Sequence, residues 1–160
     1  MAARSMTSLL VPAGYGWLAG MRNLAAPTAA SLWLSRRGRV RGRSARALAS
    51  PLARWALPLL AATEFGVDKL RRAPDRTYPA ILLTRLASGA LAGAVVCQAL
   101  RGRTSARAGA AIGAAFALLS SIVNLRLRRA ASARLATSKW RAGVAEDVLA
   151  VGLGAALASA

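Results

Sequence analysis

The chain has 160 residues, 56% of them hydrophobic, and carries a formal net charge of +18. Its apolar residues form long blocks with the charges bunched between them, which is untypical of a soluble globular domain and typical of an integral membrane protein with basic loops. The charge does not favour nucleic acid as a partner, because the basic residues are spread over every loop and no polar segment could carry a groove-reading element. The expected partner is a lipid bilayer with anionic headgroups.

The chain has one cysteine, Cys97, and no histidine. A disulfide within the chain is therefore impossible, and zinc or haem sites built from histidine and cysteine are excluded, so we expect no metal and no cofactor. The sequence also lacks a histidine base, a Walker or Rossmann glycine pattern and a GxSxG motif, which predicts that the protein is not an enzyme. Within its apolar run, Cys97 is expected to be a small buried hydrophobic residue.

Five apolar blocks predict an all-α fold, a polytopic membrane helix bundle of about five transmembrane helices in one domain over residues 1–160. The predicted spans lie near residues 8–34, 47–68, 79–100, 108–126 and 142–160. As one helix, the first block would be about 40 Å long against about 30 Å of hydrocarbon, so it must tilt, kink or break. A single kinked span and a re-entrant hairpin both remain open for it.

Six arginines lie in the segment after the first block, SRRGRVRGRSAR, which we interpret as a solvated loop against anionic headgroups. If the N-terminal side is called near, five spans place eleven lysines and arginines on the near side and nine on the far side. This difference is too small for the positive-inside rule to fix the orientation. A dual-topology antiparallel dimer, and a homo-oligomer in general, stay open.

Charged residues also lie inside the apolar blocks, where a charge persists when it is paired, hydrated or used. Glu64 and Asp68 share one helical face at the C-terminal end of the second block, where the helix dipole disfavours carboxylates. Either Lys69 in the following loop or Arg85 in the third block could compensate them.

Five spans would bring ionisable residues from four blocks to one height, about 5–10 Å below the near surface. Glu146 and Asp147 of the fifth block have an equally good second explanation, because carboxylates in the first turns of a helix are stabilised by its dipole. The members of this predicted polar cluster are Arg22, Asn23, Glu64, Asp68, Lys69, Arg85, Glu146 and Asp147.

GxxxG patterns recur in three blocks, and this spacing lets two helix backbones approach closely in lipid. The pattern therefore predicts tightly packed helices held by dispersion and close approach. The predicted packing residues are Gly16 and Gly20, Gly89 and Gly93, and Gly109 and Gly113.

At GMRNLAAPTAASLWLSRRGR, LLAATEFGVDKL, LLTRLASGALAGA and AGVAEDVLA, the chain resembles a family of small bacterial integral membrane proteins catalogued as domain of unknown function four-one-two-six. The resemblance covers Gly20 to about Leu153. Its most specific parts are the ExxxDK that begins at Glu64, the RxxxGA that begins at Arg85 and the acidic pair that begins at Glu146.

Members of that family typically carry a glycine, a polar pair and a proline in the first span, and Gly20, Asn23 and Pro27 are similar to that element. Arg22 and the short basic first loop depart from the family pattern. Because no activity comes with the family, the resemblance implies an architecture and marks residues without implying a reaction.

Two functions follow for a multi-pass protein of the bacterial cytoplasmic membrane. The first is a transporter or channel for an ion or small polar solute, because intramembrane ionisable residues usually mark such pathways. The second is a structural or assembly protein in which the same charge pairs lock the helices together.

Overall fold

The structure, a computed structural model, describes residues 2–37, 40, 42–67, 79–100, 105–134 and 139–159. All regular structure in these ranges is helical, which confirms the all-α fold class. The helices are α1 (Ala2–Met21), α2 (Ala25–Ser35), α3 (Arg43–Leu48), α4 (Pro51–Val67), α5 (Pro79–Ala99), α6 (Ala106–Arg134) and α7 (Lys139–Ser159).

The predicted blocks and the observed helices differ most at the start of the chain. The block predicted over 8–34 is two helices, separated by three residues between α1 and α2. Part of the predicted first loop is helical as α3, and the second block, predicted over 47–68, forms a long helix only from Pro51. Proline suits the first turn of a helix, because the amide hydrogen that it lacks has no partner there.

The later helices match their blocks better. Helix α5 agrees with 79–100 to one residue, whereas α6 continues to Arg134, beyond the predicted end at 126. Arginine is a good helix former, so the arginines after residue 125 end the apolar stretch without ending the helix. Helix α7 begins at Lys139, three residues before the predicted 142.

The chain reverses direction between α1 and α2. The Tyr15 hydroxyl donates to the Leu157 carbonyl at 3.1 Å, and the Arg36 guanidinium donates to the Ala158 carbonyl at 3.0 Å. Residues before and after the break thus meet the same end of α7, while Arg22, at the break, pairs with Asp147 further back along α7. Helices α1 and α2 therefore form a hairpin whose tip is the segment 22–24.

Helix α4 runs beside this hairpin in the direction opposite to α2. Ser31 of α2 donates to the Leu48 carbonyl at 2.6 Å, and Glu64 of α4 accepts from the tip, so α4 is antiparallel to α2. The start of α1, the described residues 36–37 and 42–48 and the end of α7 lie at one end of the bundle, here named the terminal end. The hairpin tip lies towards the opposite end of the bundle, here named the tip end. Of the two alternatives left open for the first block, these contacts fit the hairpin, which returns the chain to the end at which it started.

Helices α1, α5 and α6 pack backbone to backbone through the predicted glycines. A Cβ atom added at Gly16 would lie 2.9 Å from the Gly113 Cα, and one at Gly89 would lie 2.6 Å from the Gly113 carbonyl oxygen. One at Gly109 would lie 2.6 Å from the Gly93 carbonyl oxygen, and one at Gly20 would lie 2.5 Å from the Ser120 Cβ. The structure places all six predicted glycines at the contacts of these three helices.

Within the part of the chain that the structure describes, two helical segments are long and apolar enough to cross a membrane. They are Pro79–Ala99 and Ala106–Leu127, each with a mean hydropathy of 1.8, and the segment Leu9–Met21 is apolar but shorter. Large apolar side chains such as Leu52, Leu83 and Leu149 face outward. This outward surface is the kind that a bilayer covers.

We predict that Gly113→Ala destabilises the protein, because the new methyl group would overlap the Gly89 carbonyl and force α5 and α6 apart. Overpacking of this kind costs about 1–3 kcal/mol. The measurement is thermal unfolding in detergent, and the matched control is Gly152→Ala, where an added Cβ meets nothing within 4 Å. Equal stability of the two variants would contradict the close packing at Gly113.

Candidate functional site

The hairpin tip leaves two helix ends inside the bundle. A helix that stops leaves its last carbonyls without partners, and one that starts leaves its first amide hydrogens without partners. Here α1 ends at Met21 and α2 begins at Ala25, with Leu24 as its N-cap residue, whose side chain cannot cap. Both ends depend on side chains from other helices.

Arg85 of α5 donates hydrogen bonds to the last carbonyl groups of α1. Its Nη1 donates to the Gly20 carbonyl and, at 3.4 Å, to the Met21 carbonyl. The residue is 4% exposed. Its positive charge lies at the C-terminal end of α1, where the helix dipole is negative and a cation is favourable. Ser88, one turn further along α5, donates to the Asn23 carbonyl.

Glu64 of α4 satisfies the start of α2. Its two carboxylate oxygens accept from the backbone N–H groups of Asn23 and Leu24, each at 2.9 Å. A carboxylate on the positive N-terminal end of a helix makes charge-assisted hydrogen bonds that are stronger than neutral ones. Glu64 thus caps a helix that lies about 40 residues away in sequence.

The expected direct pair between Glu64 and Arg85 is replaced by a different arrangement. The contacts of Glu64 are with amide hydrogens of the tip, and those described above for Arg85 are with carbonyl oxygens of α1. The two side chains therefore act on opposite helix ends of one break, because each backbone dipole offers them a partner. The expectation that Arg85 compensates Glu64 directly is wrong for this structure.

Arg22 lies at the tip and is 2% exposed. Its Nη2 donates to Oδ1 of Asp147, whose side chain is 13% exposed, and this ion pair joins the tip to α7. Glu146, which precedes Asp147 in the sequence, is 6% exposed. A buried ion pair is costly to break, because the remaining charge loses its partner without regaining water.

The alternative explanation of Glu146 and Asp147, a position in the first turns of a helix, is wrong. Helix α7 begins at Lys139, so both carboxylates lie about two turns inside it, and no acidic residue occupies the first turn. The effect of the helix dipole fades within that turn. Glu146 is distinguished by its burial, and Asp147 by its ion pair with Arg22.

Uncharged polar residues on α6 complete the cluster, and the sequence analysis missed them. Ser120 donates to the Trp17 carbonyl at 2.8 Å, and Asn124 donates to the Ser120 carbonyl and hydroxyl at 2.8 and 3.0 Å. Ser121 donates to the Ala117 carbonyl at 2.8 Å. The available signal was the spacing of Ser120 and Asn124, which lie four residues apart and therefore on one face of the helix.

Two members of the predicted cluster, Asp68 and Lys69, lie outside the described residues. The structure brings together the other six from three helices and the tip: Arg22, Asn23, Glu64, Arg85, Glu146 and Asp147. Among the described residues, no group of three histidine, cysteine or acidic side chains could hold a metal ion. Cys97 is 4% exposed and packs against Gly109.

Comparison with known proteins finds no match: no protein-family model, no curated protein and no solved structure is significantly similar to the chain. The family resemblance stated above accordingly stays a prediction. The site is therefore interpreted from its own geometry.

We predict that Arg85→Ala and Glu64→Ala each destabilise the protein, since each leaves buried backbone groups at the tip without partners. An unsatisfied buried polar group costs about 1–3 kcal/mol. Glu64→Gln keeps one acceptor oxygen and should lose less. Thermal unfolding in detergent measures the losses, with Arg54→Ala, an exposed arginine on α4, as the control.

The double variant Arg85→Ala with Glu64→Gln distinguishes the two arrangements. Because the side chains cap opposite helix ends, the double variant should be no more stable than Arg85→Ala alone. A direct ion pair predicts that Glu64→Gln relieves the loss by removing a stranded charge. Such relief would contradict the capping geometry.

Proposed function

We propose that this chain is a multi-pass protein of the bacterial cytoplasmic membrane that conducts or transports a small ion through the layer around the hairpin tip. In this proposal α4 to α7 cross the bilayer, and α1 and α2 form a re-entrant hairpin, in place of five full spans. Membership of the family that the sequence resembles is part of the proposal. Its support comes from the two apolar helices, the hairpin and the buried charges.

The lengths of the helices support four crossings. At 1.5 Å per residue, the 17 residues of α4 measure about 26 Å and the 21 residues of α7 about 32 Å, close to the thickness of the hydrocarbon core. Arg85 lies six residues inside α5, so the tip would lie about 9 Å below the surface on the tip side.

A broken helix at this depth supports a transport role. Backbone that is not helical is tolerated inside a membrane where it is buried in protein or lines a hydrated cavity. In many transporters, the ends of broken helices bind the solute and its coupling ion. Here Arg85 occupies the end that would attract a cation, and Glu64 occupies the end that would attract an anion.

One orphaned atom carries the proposal furthest. The side-chain oxygen of Asn23 is buried at the tip, and it has no hydrogen-bond partner among the described residues. A buried acceptor without a partner is costly unless something binds it. A cation, the proton included, is the ligand that suits this acceptor oxygen.

A structural role is the second candidate, and one specific observation favours it. The backbone groups of the tip are bonded by Arg85, Glu64 and Ser88 of the protein itself, so the break needs no ligand to be stable. In this case the cluster would be a lock between helices, and the protein would carry no flux.

Purified protein in liposomes tests the proposal through the flux of protons, sodium and potassium, followed with entrapped ion-sensitive dyes. We expect flux above that of empty liposomes, and we expect Asp147→Asn and Glu146→Gln to lose most of it, because they remove carboxylates of the layer. Gly152→Ala, an outward position, should keep it. Size-exclusion chromatography confirms that each variant is folded.

Absence of flux for all three cations, or equal flux in the wild type and both carboxylate variants, would contradict the transport role. The first of these results would leave the structural lock as the account of the cluster.

A further inference from the structure

The hairpin changes how the basic residues are distributed between the two ends of the bundle. Because α1 and α2 return the chain, the start of α1 lies at the terminal end, together with the end of α2, the end of α5 and the start of α6. The ends of α4 and α6 and the starts of α5 and α7 lie at the tip end.

Counted along the sequence, the lysines and arginines outside the apolar stretches form two sets of ten. The first set belongs to the chain start, to the stretch between α2 and α4 and to the stretch from the end of α5 into α6: Arg4, Arg36, Arg37, Arg39, Arg41, Arg43, Arg46, Arg101, Arg103 and Arg107. The second set belongs to the stretches that link α4 to α5 and the end of α6 to the start of α7: Lys69, Arg71, Arg72, Arg76, Arg126, Arg128, Arg129, Arg134, Lys139 and Arg141. Arg54, one turn inside α4, raises the first count to eleven when it is included. The positive-inside rule orients a membrane protein by an excess of lysine and arginine on one side, and no such excess exists here.

One outward face is more exposed than the rest. The three most exposed large apolar side chains of the described residues are Leu52, Trp55 and Leu59, at 78, 71 and 68%. They lie three and four residues apart and so form one stripe along α4. Helix α4 packs against α2 and α3, and the described residues leave this stripe uncovered. Tryptophan is enriched at the cores of protein interfaces.

We propose that the protein inserts into the membrane in both orientations, and that the α4 stripe binds a second, inverted copy of the same chain. The equal numbers of lysines and arginines in the two sets are the reason for choosing an inverted copy as the partner. A chain without an orientation bias fills the membrane with equal numbers of upright and inverted copies, and each presents the same apolar stripe. The inference rests on the proposed membrane location but not on transport.

The orientation is measured with a cytoplasm-dependent fluorescent reporter and a periplasm-dependent phosphatase, each fused after Ala160 in a bacterial host. We expect both reporters to be active in the wild type. Arg43→Gln with Arg46→Gln, two exposed arginines of α3, should raise the phosphatase signal and lower the fluorescence. Arg126→Gln with Arg129→Gln, two exposed arginines of α6, should shift the ratio the opposite way. One silent reporter in the wild type would overturn dual insertion.

The pairing is measured by disulfide cross-linking of Leu59→Cys in a Cys97→Ala background, in membranes and without detergent. A cross-linked dimer is expected, and it should decline in either arginine variant, since a single orientation removes the inverted partner. A dimer that persists in a singly oriented population would overturn the inverted arrangement. Absence of cross-linking while both reporters are active would overturn the α4 interface and indicate that lipid covers the stripe.

Both measurements are independent of the liposome flux. Failure of the flux assay with active reporters would count against transport alone, whereas a silent phosphatase with fluorescent protein in the soluble fraction would count against the membrane location.

Discussion

The hairpin tip is stable because charged side chains from two other helices take the place of the helical hydrogen bonds that the break removes. Arg85 donates to the carbonyls at the end of α1, and Glu64 accepts from the amides at the start of α2. Without them, the break would leave backbone groups unsatisfied inside an apolar bundle, at a cost of about 1–3 kcal/mol for each group. The reversal of the chain, the common end of its termini and the position of Arg22 all depend on these two contacts.

The glycine contacts determine how these side chains can reach the tip. Close approach of α1, α5 and α6 at Gly16, Gly89 and Gly113 places α5 directly beside the last turn of α1. Arg85, one turn before Gly89, then lies within hydrogen-bond reach of the Gly20 carbonyl. A bulkier residue at the crossing would move Arg85 away from its acceptors, so packing and electrostatics at the tip are coupled.

Much of this architecture could be predicted from the sequence, because hydropathy and glycine spacing are local signals. The third block and the six packing glycines are examples. The hairpin could not be predicted, because an overlong apolar block fits a kinked span and a reversal equally well. What decides between them is a pair of caps that come from α4 and α5, about 40 and 65 residues away. Ser120 and Asn124 were missed because uncharged polar residues hardly change the hydropathy of a long apolar helix.

The distance between the two arms of the hairpin tests the central claim most directly. Spin labels on Leu10→Cys and Arg37→Cys, in a Cys97→Ala background, report it by pulsed electron paramagnetic resonance in lipid; both native side chains are exposed. Two packed antiparallel helices predict a separation of about 15–25 Å. A separation of about 40 Å, the length of a continuous helix between these residues, would contradict the hairpin and the account built on it.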